Sequence, residues 1–360
     1  MTSPLTLAWY GADMLTGHIV EDLPSLKPSG ALGRRLGAAS TLQFDMAVAG
    51  APDGWEAATA PGRSLLVAVD TSADTPVWAG AILPREGGSA SSVQLGAATL
   101  EAYLDARYPG TQTLLSLDQA SVMAALAAPA LDSGPPLVID AVATGTTMDY
   151  LSSDGDDKTI LSCLSEIMGL DGGPEFTVDV AWNATRSGFV FPLRIRTAIG
   201  TQTPSPEAVF DAPGCVADYS LQESYESGKG ATRVIARGEG EGLSRLSSAP
   251  AEATDLLNGG WPVWEYRYTP ATGVTDPDQL TSHAVSSVAL MAQGAQVWTL
   301  RAVASQAPRA GTDFGLGDTV RLSVEHSPRH PAGTDVVARC WAWELDPDGD
   351  TVTPILVQES

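Results

Sequence analysis

The sequence has few basic residues and no long apolar run. Twenty lysines and arginines stand against 43 aspartates and glutamates, so the formal net charge is −23. A surface of this charge repels a nucleic-acid backbone instead of neutralising it, which argues against a DNA-binding role. A helix that crosses a bilayer needs about 18 or more consecutive apolar residues, and no such run occurs. No membrane-spanning segment is therefore predicted.

Cysteine and histidine are also scarce. Cys163, Cys215 and Cys340 are odd in number, far apart and free of any Cys-x-x-Cys spacing. We therefore predict three buried thiols, with neither a disulfide framework nor a zinc site. The first twenty residues lack a basic start followed by an apolar core, so we expect no secretory signal and assembly in a cytoplasm.

Three motifs suggest chemistry, but none has the full pattern. The run at 238–242 resembles a phosphate-binding loop, yet it lacks the third glycine of that loop and carries two carboxylates. His326 and His330 have a zincin-like spacing without its glutamate, and Pro328 between them opposes the helix that would align both imidazoles. A surface loop is the favoured interpretation of that motif.

Acidic clusters at 154–157 and 346–350 resemble fragments of calcium loops. Neither has the glutamate at the twelfth position that completes an EF-hand, so a turn and a helix cap are favoured. No Gly-x-Ser-x-Gly elbow occurs, and nothing selects one carboxylate pair among 43 acidic residues for glycosidase chemistry. We predict no catalytic residues, no metal and no cofactor.

Alternation of apolar and polar residues predicts strands through most of the chain. The clearest are at 41–48, 64–70, 76–83, 175–182, 189–196, 216–225, 231–237, 261–268, 296–305, 317–324, 336–344 and 351–357. Helices are predicted over 99–107, from a capping box at Ser116 to Ala128, over 157–168, and from the Asp276 cap and Pro277 to Gly294. Residues 201–213 are predicted to be a linker.

These patterns divide the chain near residue 108 and again at the 201–213 linker. Residues 1–108 are predicted to form a β-barrel or sandwich with a closing helix, and 109–205 a mixed α/β domain. The remainder is again rich in predicted strands, with a helix at 277–294. No repeat of 20 to 50 residues stands out, although two related β-domains with insertions remain an option.

One pair of residues stands out within the predicted strand, loop and strand at 296–325. Gly317 suits a backbone with positive φ, and Asp318 can bond its own main chain there, so the pair marks entry into the second strand. An ordinary β-hairpin explains this pattern as well.

Short motifs follow one another along essentially the whole chain. They are Trp78-Ala79-Gly80-Ala81-Ile82, Thr159-Ile160-Leu161, Pro174-Glu175-Phe176-Thr177-Val178-Asp179, Val216-Ala217-Asp218-Tyr219-Ser220, Ala231-Thr232-Arg233-Val234, Trp261-Pro262 with Glu265, and Leu316-Gly317-Asp318-Thr319-Val320. Their order resembles that of the tail hub, or baseplate hub, minor tail proteins of siphophages that infect actinobacteria. It is similar too to the hub region of tail-associated lysins and to contractile-phage baseplate hubs.

The resemblance implies a β-rich α+β fold with two tail-tube-like β-barrels and two smaller mixed α/β insertion domains. On this plan 1–108 is the first barrel and 109–205 a mixed domain. The second barrel combines 206–240 with 296–360, and 241–295 is a domain inserted into it, with the helix 277–294.

The resemblance also implies a homotrimer at the virion tail tip, which adapts the hexameric tail tube and distal tail ring to threefold symmetry and forms part of the DNA ejection channel. The expected partners are the distal tail protein ring, other tail-tip or spike minor tail proteins and the tape measure protein, with DNA only in transit. Gly317, Asp318, Trp78 and Gly80 are the expected structural and assembly residues, and no enzyme activity is expected. Because the chain stops at Ser360, lytic or spike domains are expected on other proteins.

A trimer would carry a formal charge of −69, three times −23. An acidic lumen would let DNA pass without sticking.

The alternatives are a distal tail or carbohydrate-binding module for attachment to the host envelope and, third, an enzyme. Exposed aromatic platforms would favour attachment, and the residues concerned are Trp261, Trp264, Trp341 and Trp343. The last two are two residues apart and are expected to share a strand face.

Overall fold

The structure is a computed structural model that describes residues 6–170, 172–238, 245–269 and 276–358. The strands of the first part are β1 (Leu7–Asp13), β2 (Ile19–Asp22), β3 (Leu26–Pro28), β4 (Leu32–Arg35), β5 (Thr41–Ala47), β6 (Ser64–Asp70), β7 (Thr75–Glu86) and β8 (Ser92–Thr99). Seven of them form the first sheet, in the order β2-β1-β6-β7-β8-β5-β3, with every neighbouring pair antiparallel. Strand β4 leaves this sheet and joins another, described below.

The apolar run of β6 is explained by burial on both faces. Leu66 and Ala68 belong to a core shared with the second large sheet, while Leu65, Val67 and Val69 face the mixed α/β part. A strand covered on both sides reads as a continuous hydrophobic run because neither face meets water. The short helices α1 (Trp55–Ala58) and α2 (Glu101–Leu104) complete this part, so the helix predicted over 99–107 is only one turn.

The mixed α/β part contains a four-stranded sheet and a two-stranded ribbon. The elements are β9 (Gln112–Asp118), α3 (Gln119–Ala127), β10 (Leu137–Ala141), β11 (Thr147–Ser152), α4 (Ile160–Met168), β12 (Glu175–Val178), β13 (Ala181–Trp182) and β14 (Phe189–Arg196), with 3₁₀ turns at Ala128–Leu131 and Asp154–Asp156. In the sheet β10 lies parallel and β12 antiparallel to the central strand β14, and β13 also pairs with β14; the ribbon is β9 with β11. Strands β9, β10 and β11 have no counterpart among the predicted ones.

The predicted capping box at Ser116 is wrong. Ser116 lies in β9 with φ +53°, and the cap of α3 is Asp118, whose carboxylate accepts from the backbone N–H of Ala120 at 2.9 Å. The same carboxylate also accepts from Thr144 and Gly145, so it organises the turn that precedes β11 as well.

The strands of the second large sheet are β15 (Val209–Ala212), β16 (Val216–Ser224), β20 (Ala295–Val303), β21 (Thr319–Val324), β22 (Thr334–Asp346) and β23 (Thr351–Val357). Their order in the sheet is β15-β21-β22-β23-β20-β16, with β4 added against β22. β15 lies inside the predicted linker 201–213, so the end of that segment is a strand, paired in parallel with β21.

A small unit interrupts this sheet between β16 and β20. It contains β17 (Arg233–Ala236), β18 (Ala251–Glu252), α5 (Thr254–Asn258), β19 (Glu265–Tyr268) and α6 (Pro277–Met291). Helix α6 begins as predicted, with the Asp276 side chain accepting from the N–H of Asp278. Strand β17 was assigned above to the second β-domain through its range 206–240. It pairs with β18 and β19 of the small unit instead.

The two large sheets share a path of five strands. In the first sheet it reads β3-β5-β8-β7-β6, and in the second β16-β20-β23-β22-β21. The strands also follow one another in the same order along the chain, and every neighbouring pair in both paths is antiparallel. Both halves of the chain therefore repeat one topology.

Neither large sheet closes into a barrel among the described residues, so the predicted barrels are not confirmed. The two edge strands of each sheet are nonetheless consecutive in the chain: residues 23–25 join β2 to β3, and 213–215 join β15 to β16. The inner faces of both sheets pack into one hydrophobic core. The three cysteines are buried and free, as predicted. No helix in the described ranges is long and apolar enough to cross a membrane.

Candidate functional site: a buried joint between the halves

The Gly317-Asp318 pair lies where the second large sheet meets the segment that leaves the mixed part. Gly317 has φ +80°, and a Cβ there would overlap the carbonyl oxygen of Ile199. The Asp318 carboxylate accepts from the backbone N–H of Thr201 at 2.6 Å and of Gly315 at 2.7 Å. Glycine is required because left-handed backbone and close approach coincide at this position.

An ion pair lies beside this pair of residues, beneath the surface. The Arg339 guanidinium of β22 holds both carboxylate oxygens of Glu175 in β12, at 2.8 and 2.6 Å. It also donates to the carbonyls of Gly317 and Ile199, each at 3.0 Å, while the Ile199 N–H donates to Glu175. Arg339 is only 5% exposed and Glu175 9%. Such a bidentate pair fixes β22 against β12 in direction as well as distance.

A second buried arginine fastens β4 to the mixed part. Arg34 donates to the Thr177 hydroxyl, the Val178 carbonyl and the Asp179 carboxylate at 2.9, 2.9 and 3.1 Å. The Glu101 carboxylate, completely buried, accepts from the Val178 N–H at 3.0 Å. β4 therefore joins two neighbours, because its backbone pairs with β22 while this side chain reaches β12.

A third ion pair connects the two large sheets directly. Arg309, in the connection between β20 and β21, donates to Asp70 at the end of β6 at 2.8 Å. The Asp70 side chain is completely buried and the Arg309 side chain 13% exposed. Two of these contacts therefore join the mixed part to the second large sheet, through β22 and through β4, and the third joins the two large sheets. We call the set of Arg34, Arg309 and Arg339 with their partners the joint.

Trp78 and Gly80 lie on β7, and the Trp78 side chain contacts β4. The Trp78 ring is completely buried, and its indole N–H donates to the carbonyl of Gly33 at 3.1 Å. A Cβ at Gly80 would lie 2.5 Å from the Trp78 ring and 3.0 Å from the Ala98 carbonyl. The four predicted assembly residues therefore form two separate pairs, both of which border strands that join one half to the other.

The joint has an open side, a polar cleft of about 340 Å³. Its walls include Arg34, Asp179, Arg194 and Asp318. Arg194 donates to Asp179 at 2.9 Å, so the cleft's arginines and carboxylates are already engaged with one another or with backbone. This arrangement stabilises a boundary and offers no activated nucleophile.

The other motifs singled out in the sequence show no sign of a binding or catalytic site among the described residues. His330 stacks on Tyr219 and Trp298, and its Nδ1 lies 2.6 Å from the Tyr219 hydroxyl, so it belongs to a loop folded over β16 and β20. No group of three metal-ligating side chains occurs within the described ranges. Most of the 238–242 run lies outside the described residues.

The two pairs of tryptophans differ in exposure. A bulge between Cys340 and Ala342 changes the alternation of β22, so Trp343 is buried while Trp341 is partly exposed. Trp261 and Trp264 are exposed on the small unit. Trp341 and Trp343, which were predicted to share a strand face, therefore differ in burial.

The Asp318 contacts can be tested by removing one acceptor oxygen. We expect Asp318→Asn to lower the free energy of unfolding by about 1–3 kcal/mol, because the amide N–H₂ faces a backbone N–H that then lacks its acceptor. Urea denaturation measures the change. Asp348→Asn is the control, because Asp348 is exposed and its carboxylate accepts no hydrogen bond from another residue that the structure describes. An equal effect of both substitutions would count against the role of Asp318.

Two large sheets that repeat one topology characterise this fold, and known structures share it. The sequence matches no protein-family model and no curated protein. Its fold is that of phage tail proteins. It is similar to the tail protein of Neisseria meningitidis MC58 (12% identity, TM-score 0.60, covering 99% of this chain and 97% of that one). It is similar also to the 43 kDa tail protein of prophage MuSo2 from Shewanella oneidensis (12%, 0.59, 98% of each chain). A chain of the Francisella PdpA–VgrG complex is a third example (7%, 0.57, 100% of this chain and 59% of that one). The resemblance to tail hub proteins is therefore confirmed at the level of fold.

Proposed function

We propose that this protein is a structural component of a siphophage tail tip, a homotrimeric hub beneath the distal tail ring. It adapts the hexameric tail tube to a threefold tip and forms part of the channel for genome ejection. The observation that carries the proposal is the five-strand path that both large sheets repeat. Three chains with two such sheets each present six alike elements, which is the number that a hexameric ring requires.

The repeat also supports the interpretation of the two sheets as open barrels. In each sheet the two edge strands are joined by three residues, so the edges approach each other at that end. We propose that 1–108 and the part comprising 206–224 and 295–360 are the two ring-forming domains. Residues 109–205 are the mixed domain, and the insertion that we placed at 241–295 begins earlier, before β17.

The joint supports a rigid adapter. A ring element that transmits a fixed geometry needs its two sheets at a constant angle. The three arginines of the joint, whose side chains are at most 13% exposed, provide directional bonds between these parts. Gly317, Asp318, Trp78 and Gly80 would then matter for assembly. Substitutions there are expected to cause loss of tail tips and no change in a catalytic rate, since the function has no chemical step.

Charge supports a channel that does not retain DNA. At least fourteen of the 20 lysines and arginines lie within 4.0 Å of a carboxylate of the same chain. Few cations are therefore left to neutralise phosphates, while the acidic surplus of −23 per chain remains. The partners in this proposal are the distal tail ring, other tip or spike proteins and the tape measure protein.

Immunogold labelling of virions tests the location. Antibodies against this chain are expected to mark the tail end that faces the host, with one cluster per particle. Antibodies against the tube protein of the same phage provide the control, because they mark the whole tail length. Label along the tube, at the head junction or absent from virions would refute the proposed location.

A further inference from the structure

Two tryptophans on the small unit differ from the others in exposure. Trp261 is 42% and Trp264 51% exposed, whereas the seven other tryptophans are buried or partly buried. Val263 between them is 52% exposed. Exposed aromatic clusters of this kind mark binding sites more often than isolated apolar side chains do.

The two indoles flank one further ring. Tyr225 lies 5.7 Å from Trp261 at an interplanar angle of 47° and 5.8 Å from Trp264 at 67°. The Tyr225 hydroxyl donates to the carbonyl of Ala292 just after α6, at 2.9 Å. The three rings therefore form a stepped wall, held from behind, and not a flat stack.

The backbone beneath this wall is held by hydrogen bonds although it has no regular secondary structure. The backbone N–H of Trp261 donates to the carbonyl of Leu256 at 3.0 Å, and the backbone N–H of Trp264 donates to the Thr232 hydroxyl at 2.8 Å. That hydroxyl donates in turn to the Pro262 carbonyl at 3.0 Å, and the Trp264 carbonyl accepts from two backbone N–H groups. A wall ordered in advance loses little conformational entropy on binding.

The charged groups near the wall are balanced, three carboxylates against three cations. Glu226 pairs with Lys229 at 2.6 Å, next to Tyr225 in the chain, while Glu252 and Glu265 pair with Arg233 and Arg267. The chain as a whole carries −23, which disfavours anionic polymers at any distance within the Debye length. A neutral ligand with apolar faces and many hydroxyls fits these rings and this balanced rim best.

We propose that the wall of Tyr225, Trp261 and Trp264 binds a neutral oligosaccharide. The C–H faces of the sugar rings lie on the two indoles, while hydroxyls meet the indole N–H groups and the Glu226–Lys229 pair. Neither indole N–H has a hydrogen-bond partner among the described residues, so both are available as donors. The site lies within one chain, so the inference does not depend on the hub geometry. Several copies at the tail tip of the proposed function would strengthen binding further by avidity.

Intrinsic tryptophan fluorescence of the full chain, titrated with chitotetraose, maltotetraose and α-1,6-mannotetraose, tests the site. We expect saturable binding of at least one probe, weakened at least tenfold in Trp261→Ala and Trp264→Ala, with isothermal calorimetry as the second readout. Trp264→Phe should retain part of the affinity, because it keeps an aromatic face. Leu151→Ala is the matched control: Leu151 is 71% exposed on another part of the chain, and its loss should leave binding unchanged.

Three results would overturn the inference. They are the absence of saturable binding with all three probes, binding that both tryptophan variants retain, and a wall covered by another tail protein in the assembled tip. Circular dichroism confirms that the variants fold, which is expected because both side chains are at the surface. Failure here leaves the tail-tip proposal intact, since immunogold labelling tests that separately.

Discussion

Arg339→Met should lower the free energy of unfolding by about 3–5 kcal/mol, the usual cost of breaking a buried ion pair from one side. The substitution leaves the Glu175 carboxylate under the surface with only the Ile199 N–H as its donor among the contacts described above. It also removes a donor from the Gly317 carbonyl. Urea denaturation followed by tryptophan fluorescence measures the effect.

Arg321→Met is the matched control. Arg321 lies in the neighbouring strand β21 and pairs with Asp335, but both side chains are nearly half exposed, so little stability depends on that pair. The double substitution Arg339→Met with Glu175→Met should recover part of the loss, because no unpaired charge then remains. Equal effects of the Arg339 and Arg321 substitutions would contradict the assignment of Arg339 to the joint.

Gly317→Ala should destabilise the protein through two separate effects. A side chain at φ +80° costs roughly 1–2 kcal/mol of backbone strain. Overlap of the new Cβ with the Ile199 carbonyl adds about 1–3 kcal/mol, as for other overpacked sites. The strain arises within the residue, whereas the overlap moves the 199–201 segment and with it the partners of Asp318 and Arg339.

Gly62→Ala separates the two effects. Gly62 has φ +69°, yet no atom of the described residues lies within 4 Å of a Cβ built there, so only the strain of roughly 1–2 kcal/mol applies. Thermal and urea unfolding of both variants measures the difference. If Gly317→Ala is no more destabilised than Gly62→Ala, close approach at the joint is not what requires glycine at 317.

Local sequence signals were enough to predict an element that has its own regular pattern. The alternation in β5, β14 and β21 predicted those strands, since one face of each is buried and the other is not. The Asp276-Pro277 start of α6 was equally clear, because a cap and a proline at the first helical position act within one turn. By contrast, Leu115 and Leu151 are exposed on the β9–β11 ribbon, which obscured its alternation.

The joint could not be predicted, because its partners are far apart in sequence. Arg34 is 143 residues from Thr177, Arg339 is 164 from Glu175, and Arg309 is 239 from Asp70. One local signal was present: Arg339 stands between Ala338 and Cys340, inside an apolar strand, where an arginine needs a buried partner. Similarly, the small unit separates β16 from β20 and hides the repeated topology, which only pairing reveals.

The ratio of this protein to the distal tail ring tests the adapter most directly. Native mass spectrometry of the complex with the purified distal tail protein of the same phage is expected to show three copies per six ring subunits. Those three copies contribute about 112 kDa, three times 37.3 kDa. Six copies per ring, or a stable monomer that never joins the ring, would contradict the proposal that two like sheets per chain convert sixfold to threefold symmetry.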